Sequence, residues 1–118
     1  MSVMAVRGAI QIEKNDKQSI SDGVVKLITT IIEKNKLLSK NIISIMFSQT
    51  IDLDAMNPAA ALRTIGFKNT PLFCTQEPNV QGSMEQVIRV LISVESKVSL
   101  SPVYLGEARS LRLDLDNK

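Results

Sequence analysis

The chain has 118 residues and a mass of 13.0 kDa. That is the size of one domain, and 44% hydrophobic residues suffice for one core without disulfides or metal. Fourteen basic against twelve acidic residues leave +2, which is no footprint for nucleic acid. The absence of histidine removes His-based triads, His metal sites and His pH switches. One cysteine, Cys74, excludes an internal disulfide and a Cys-rich metal centre and fits a reducing compartment. No apolar run reaches transmembrane length and the N-terminus shows no signal-peptide pattern, so the expectation is a cytoplasmic domain with neither membrane nor nucleic acid as partner.

The first segment, Val3 to Ile12, alternates Met4, Val6, Gly8, Ile10 and Ile12 against Ala5, Arg7 and Ala9, which predicts a strand with one arginine on its small-residue face. After a polar turn, Ile20, Val24, Leu27, Ile28 and Ile31 recur at helical spacing. Asp16 or Ser19 can cap this helix, Gly23 weakens it by roughly 1 kcal/mol without breaking it, and it should end near Asn35. Ser39 to Thr50 reads as a second strand, with Ile43, Ile45 and Phe47 opposite Ser44, Met46 and Ser48. Asn57-Pro58 opens a short helix that Gly66 can end. Pro71 to Gln76 is a third strand, and Ser83 to Gln86 a turn of helix. In Val87 to Glu95, Ile88, Val90, Ile92 and Val94 alternate with Arg89, Leu91 and Ser93. Val103 to Leu113 completes the sheet as a strand or strand pair, and residues from Asp114 form a polar tail.

The result is an α+β domain: a mixed β-sheet of about five strands with one long and one short helix, in a single unit ordered over about residues 3–115 of 1–118. So few helices cover one sheet face, so the other must be polar or covered by another chain. Arg7 and Arg89 stand out because each interrupts an apolar or small-residue strand, where a charge is costly unless it meets water or a partner. The planar guanidinium suits carboxylates; two on neighbouring strands would hold a small dianion, and each alone reads equally as a surface arginine paired with an acid. Cys74 by itself reads as core, Glu77 as a loop carboxylate, and Tyr104 as a core or interface residue.

The segments Ala5-Val6-Arg7-Gly8-Ala9, Asn57-Pro58-Ala59-Ala60-Ala61-Leu62-Arg63, Pro71-Leu72-Phe73-Cys74-Thr75-Gln76-Glu77, Ile88-Arg89-Val90, Val103-Tyr104-Leu105 and Leu111-Arg112-Leu113-Asp114-Leu115 resemble, in order and spacing, the AroH-class chorismate mutases. The resemblance implies a homotrimeric pseudo α/β barrel with active sites between adjacent subunits. It also implies an intramolecular Claisen rearrangement of chorismate to prephenate, in phenylalanine and tyrosine biosynthesis, that needs no cofactor, metal or nucleophile. By resemblance, Arg89 faces the breaking ether oxygen, Arg7 and Tyr104 hold a carboxylate, Glu77 accepts the ring hydroxyl, and Cys74 sits beside it. Arg63 from the neighbouring chain, Leu111 and Arg112 form the rim, and Asn57, Ala59, Ala60 and Phe73 complete the substrate-binding set. Asn57 replaces a common aromatic and Ala60 a common lysine, which bears on affinity and cleft closure; the segment before Tyr104 is short. Two rival readings are a trimeric, non-catalytic binder of a small carboxylic acid and an imine hydrolase of the RidA type. Arg7-Gly8-Ala9, Cys74 to Glu77 and Tyr104, in that order, disfavour the latter.

Overall fold

The computed structural model describes residues 2–115, with side chains through Arg112. The periodicity of the first segment becomes β1 (Ser2–Gln11), and the helical stripe becomes α1 (Lys17–Asn35). The predicted residues Ile20, Val24, Leu27, Ile28 and Ile31 are all fully buried. Asp16, not Ser19, is the N-cap: its carboxylate accepts the Ser19 N–H at 2.7 Å. That bond stabilises the ionised form and lowers the Asp16 pKa.

A 3-10 turn at Ser39–Asn41 precedes β2 (Ile42–Gln49). The expected alternation in β2 needs one correction. The register with the fourth strand slips between Ile42 and Ser44, so Ile43 is an extra, half-exposed residue, and Ile42, Ile45 and Phe47 face the core. A bulge of this kind changes side-chain parity, which a strict two-residue repeat cannot express. The short helix α2 spans Pro58–Arg63, with the Asn57 side chain accepting the Ala59 N–H at 2.9 Å.

The remaining strands are β3 (Leu72–Gln76), β4 (Val87–Ser96) and β5 (Val103–Leu105). Two expectations fail here. Ser83 to Gln86 is not helical: Gln86 adopts φ 55°, fixed by the Asp52 carboxylate on its backbone N–H and by its own side-chain amide on the Ile12 and Glu13 carbonyls. The last segment is a strand for only three residues. Gly106 (φ 62°) then turns the chain into a kinked 3-10 segment, Gly106–Leu115, and Ala108 packs with Ala9, Val87 and Tyr104. The expected tail residues 116–118 lie outside the described residues.

The sheet order is β3-β2-β4-β1-β5, antiparallel at β2–β4 and β4–β1 and parallel at both edges. Val6, Ile10, Ile45, Phe47, Ile88, Val90, Ile92 and Val94 pack with the α1 stripe into the main core. Gly8 lets α1 approach, since a Cβ there would lie 2.8 Å from both Ile31 Cδ1 and the Val103 carbonyl oxygen. The opposite face is open save where the 3-10 segment crosses it, and the chain is a slab of 39 × 33 × 21 Å. Among the described residues no helix is long and apolar enough to cross a membrane.

Two stability predictions follow from these contacts. Gly8→Ala should cost about 1–3 kcal/mol through overpacking against α1 and the β5 backbone, read as a lowered urea midpoint at unchanged slope. Asp16→Ala should lower the melting temperature at pH 7. Because the folded-state pKa of Asp16 is depressed, its contribution is present above the unfolded carboxylate pKa and is lost as pH falls through the folded value. The melting difference between wild type and variant should therefore shrink in acid.

Candidate active site

Strand register places the candidate residues. Tyr104, Ala9, Arg89, Ser48 and Thr75 form one row across all five strands, and the adjacent row on the same face runs Arg7, Leu91, Met46 and Phe73. Arg7 and Arg89 are therefore diagonal neighbours on the open face, where a guanidinium keeps access to water and to a ligand. A cleft of about 340 Å³ lies over these rows, bounded by Arg7, Ser48, Thr75, Arg89, Tyr104 and Arg112. That volume falls in the range of small-molecule sites.

Glu77 follows the last residue of β3, and its N–H continues the β2 pairing by donating to the Gln49 carbonyl at 2.8 Å. Its carboxylate turns to the open face. Arg89 Nε donates to Oε2 at 2.7 Å, and Ser48 Oγ donates to Oε1 at 2.6 Å. Arg89 is 39% exposed and Glu77 17%, so solvent screens the pair and it adds at most about 1 kcal/mol to stability. Its consequence is orientation: with Nε engaged by Glu77, the terminal guanidinium nitrogens are the groups left to donate to a ligand.

Tyr104 is 8% exposed, buried in the small cluster with Ala9, Val87 and Ala108, and still borders the cleft. Leu111 packs against that same cluster. β5 thus brings Tyr104, and the 3-10 segment Arg112, to the cleft, with Leu111 packed against the cluster that holds Tyr104.

Apart from Phe73, the other expected residues form a separate group. Cys74 pairs with Phe47 and so points to the helix side of the sheet, opposite the Glu77 carboxylate. Its thiol donates to Asn57 Oδ1 at 2.9 Å, and burial pushes its pKa up, against the opposing influences of the Ala59 N–H and of Arg63. Within one chain, therefore, Cys74 does not sit beside Glu77. Asn57 and Cys74 border a second hollow of about 410 Å³ together with Gln49, Thr50 and Gln76. Ala59, Ala60 and Arg63 lie on α2 nearby; Ala59 is 2% exposed and part of the core, Arg63 is exposed. Phe73, 61% exposed, projects from the edge strand β3 in the Arg7 row.

Sequence reasoning missed Ser48, which pairs with Arg89, and Thr75, which pairs with Ser48 one strand further out. The alternation of Ser44, Met46 and Ser48 marked their face, but only register shows which serine meets the arginine. Among the described residues, no group of three or more His, Cys, Asp or Glu side chains is placed to hold a metal ion.

The family model described as chorismate mutase type I matches residues 3–115. Chorismate mutase AroH of Bacillus subtilis is 33% identical over 119 aligned positions, covering 98% of this chain and 94% of that protein. Chorismate mutase AroH of Thermus thermophilus is 34% identical over 119 positions, covering 98% of each. A solved chorismate mutase from Clostridium thermocellum superposes with a TM-score of 0.87 at 39% identity, over 90% of this chain and 97% of that one. Together with the paired arginines on the open sheet face, these likenesses establish that the chain belongs to the type I chorismate mutase family.

Proposed function

We propose that the protein is an isomerase that rearranges chorismate to prephenate in aromatic amino acid biosynthesis, in a homotrimer whose sites lie between subunits. The observation that carries the reading is the row of Arg89 and Ser48 with Glu77, beside Arg7 and over a cleft of small-molecule size. The reaction is pericyclic and intramolecular, so the protein has to hold the reactive conformer of a dianion and stabilise charge as the ether bond breaks. Arg89 is assigned to the ether oxygen through its terminal nitrogens. Arg7, with the Tyr104 hydroxyl, is assigned to a carboxylate, and Arg112 and Leu111 close the rim. Glu77 uses a remaining lone pair to accept the ring hydroxyl.

The separation of the second group is consistent with a shared site. Asn57, Ala59, Ala60, Arg63 and Cys74, together with Phe73 from the edge of the open face, are assigned to the neighbouring subunit's side of the cleft. There Ala59 contributes backbone and shape, and the thiol, held protonated by burial, acts as a neutral polar contact. The exposed apolar side chains Met46, Phe73 and Leu91 on the open face supply surface for another copy to cover. No cofactor or metal enters the proposed reaction.

The test is loss of chorismate ultraviolet absorbance with prephenate formed. Rapid loss that Arg89→Ala abolishes supports the assignment; no loss from a folded trimer sinks it and favours a carboxylate binder. Arg89→Lys retains the charge and loses the planar fork, and turnover should fall at least about a hundredfold, since one preorganised donor is worth roughly that factor. Near-normal turnover in that variant removes Arg89 from the ether oxygen. Met46→Asp should convert the particle from three chains to one in sedimentation equilibrium while the circular dichroism of the sheet persists, and a wild-type mass of one chain would refute the trimer directly.

A further inference from the structure

We infer that Ser48 is a positioning residue: its hydroxyl holds the Glu77 carboxylate, and through it the Arg89 guanidinium, in the orientation the site uses. The inference rests on the mutase reading above for its consequence in catalysis, and on geometry alone for its structural content.

Ser48 stands directly opposite Arg89 in the β2–β4 ladder. The two oxygens of Glu77 are taken by different donors, Oε1 by Ser48 Oγ at 2.6 Å and Oε2 by Arg89 Nε at 2.7 Å. Two donors on opposite oxygens stop rotation of the carboxylate about its terminal bond; one donor alone would not. An ionised carboxylate only accepts, so the Ser48 hydroxyl proton has one direction, toward Glu77. Glu77 needs this restraint because it lies past the end of β3, immediately before Pro78, where the ladder no longer fixes the chain beyond its single N–H bond to Gln49.

The hydroxyl has no other evident use. Serine side chains commonly cap helices or brace turns through the local backbone, and Ser48 is inside a strand with its side-chain bond made to a residue 29 positions away. Serine is also short, so its hydroxyl stays close to its own strand opposite Arg89. Ser48 thus combines shortness with one directed donor, whereas Met46, two residues earlier on the same face, is 47% exposed and apolar.

The experiment is a double-mutant cycle on the full-length protein with chorismate as substrate. Ser48→Ala should lower kcat roughly tenfold, the worth of one hydrogen bond to a charged group, with a much smaller change in KM and no matching fall in melting temperature. Ser48→Thr, which keeps the hydroxyl, should restore most of the turnover. In a Glu77→Ala background Ser48→Ala should have no further effect, because the group it positions is gone. An equal loss in both backgrounds, or a loss that follows melting temperature with Thr no better than Ala, would overturn the inference. If wild type leaves chorismate unchanged, the mutase reading fails by itself, and crystal structures then decide the fate of Ser48. Displacement of Glu77 and Arg89 in Ser48→Ala, relative to wild type, supports the positioning role; superimposable side chains reject it.

Discussion

Two helices, the long α1 and the short α2, bury one face of a five-stranded sheet, and the consequences of that asymmetry run through the molecule. The helix-side face is wholly apolar where it meets α1: Val6, Ile10, Ile88, Val90 and Ile92 close against Leu27, Ile28 and Ile31, with no buried charged side chain among the described residues. Close approach there depends on Gly8, whose missing Cβ leaves room for Ile31 and the β5 backbone. Because the main core lies on one side, with only the small cluster of Ala9, Val87, Tyr104 and Ala108 on the other, alternate residues of the same strands can carry charge at little desolvation cost. Arg7 and Arg89 sit on the strands at the centre of the sheet for that reason, supported from behind by packed hydrophobic side chains.

A site on paired strands suits a reaction that asks for orientation more than for chemical participation. Strand ladders fix the spacing between Arg7, Arg89 and Ser48 far better than loops would. The Glu77 carboxylate, on the loop just past β3, is tied back to the ladder by Ser48 and Arg89. The far end of that loop is tied as well: Asp52 from the β2–α2 connection and the Ile12 and Glu13 carbonyls hold Gln86. Three connections that are distant in sequence therefore share one hydrogen-bonded hub at the end of the sheet that carries Glu77.

Much of this was legible in the primary structure. The α1 stripe from Ile20 to Ile31, the Asn57-Pro58 start of α2 and the long alternation of β4 are local patterns, and each appeared where expected. Arg7 and Arg89 were recognisable because a two-residue repeat assigns them to the face opposite the core. The family also could be read from ordered fragments spread over the chain. The departures have equally specific causes. Ile43 reversed the face of one position because a bulge added a residue. Ser83 to Gln86 failed to form a helix because Asp52 and Ile12 supplied stronger partners for Gln86, and the last strand stopped at Leu105 because Gly106 turned Ala108 onto the cluster around Ala9.

The sequence by itself determined the elements, the apolar face of each and the charges set against that face, because periodicities of 2 and 3.6 are properties of neighbouring residues. Tertiary structure decided the register, and with it which side chains meet. Ser48 faces Arg89, Glu77 turns to the open face, and Cys74 points to the other side toward Asn57 only because particular strands pair at particular offsets. Such offsets depend on contacts between residues tens of positions apart, which no local repeat encodes.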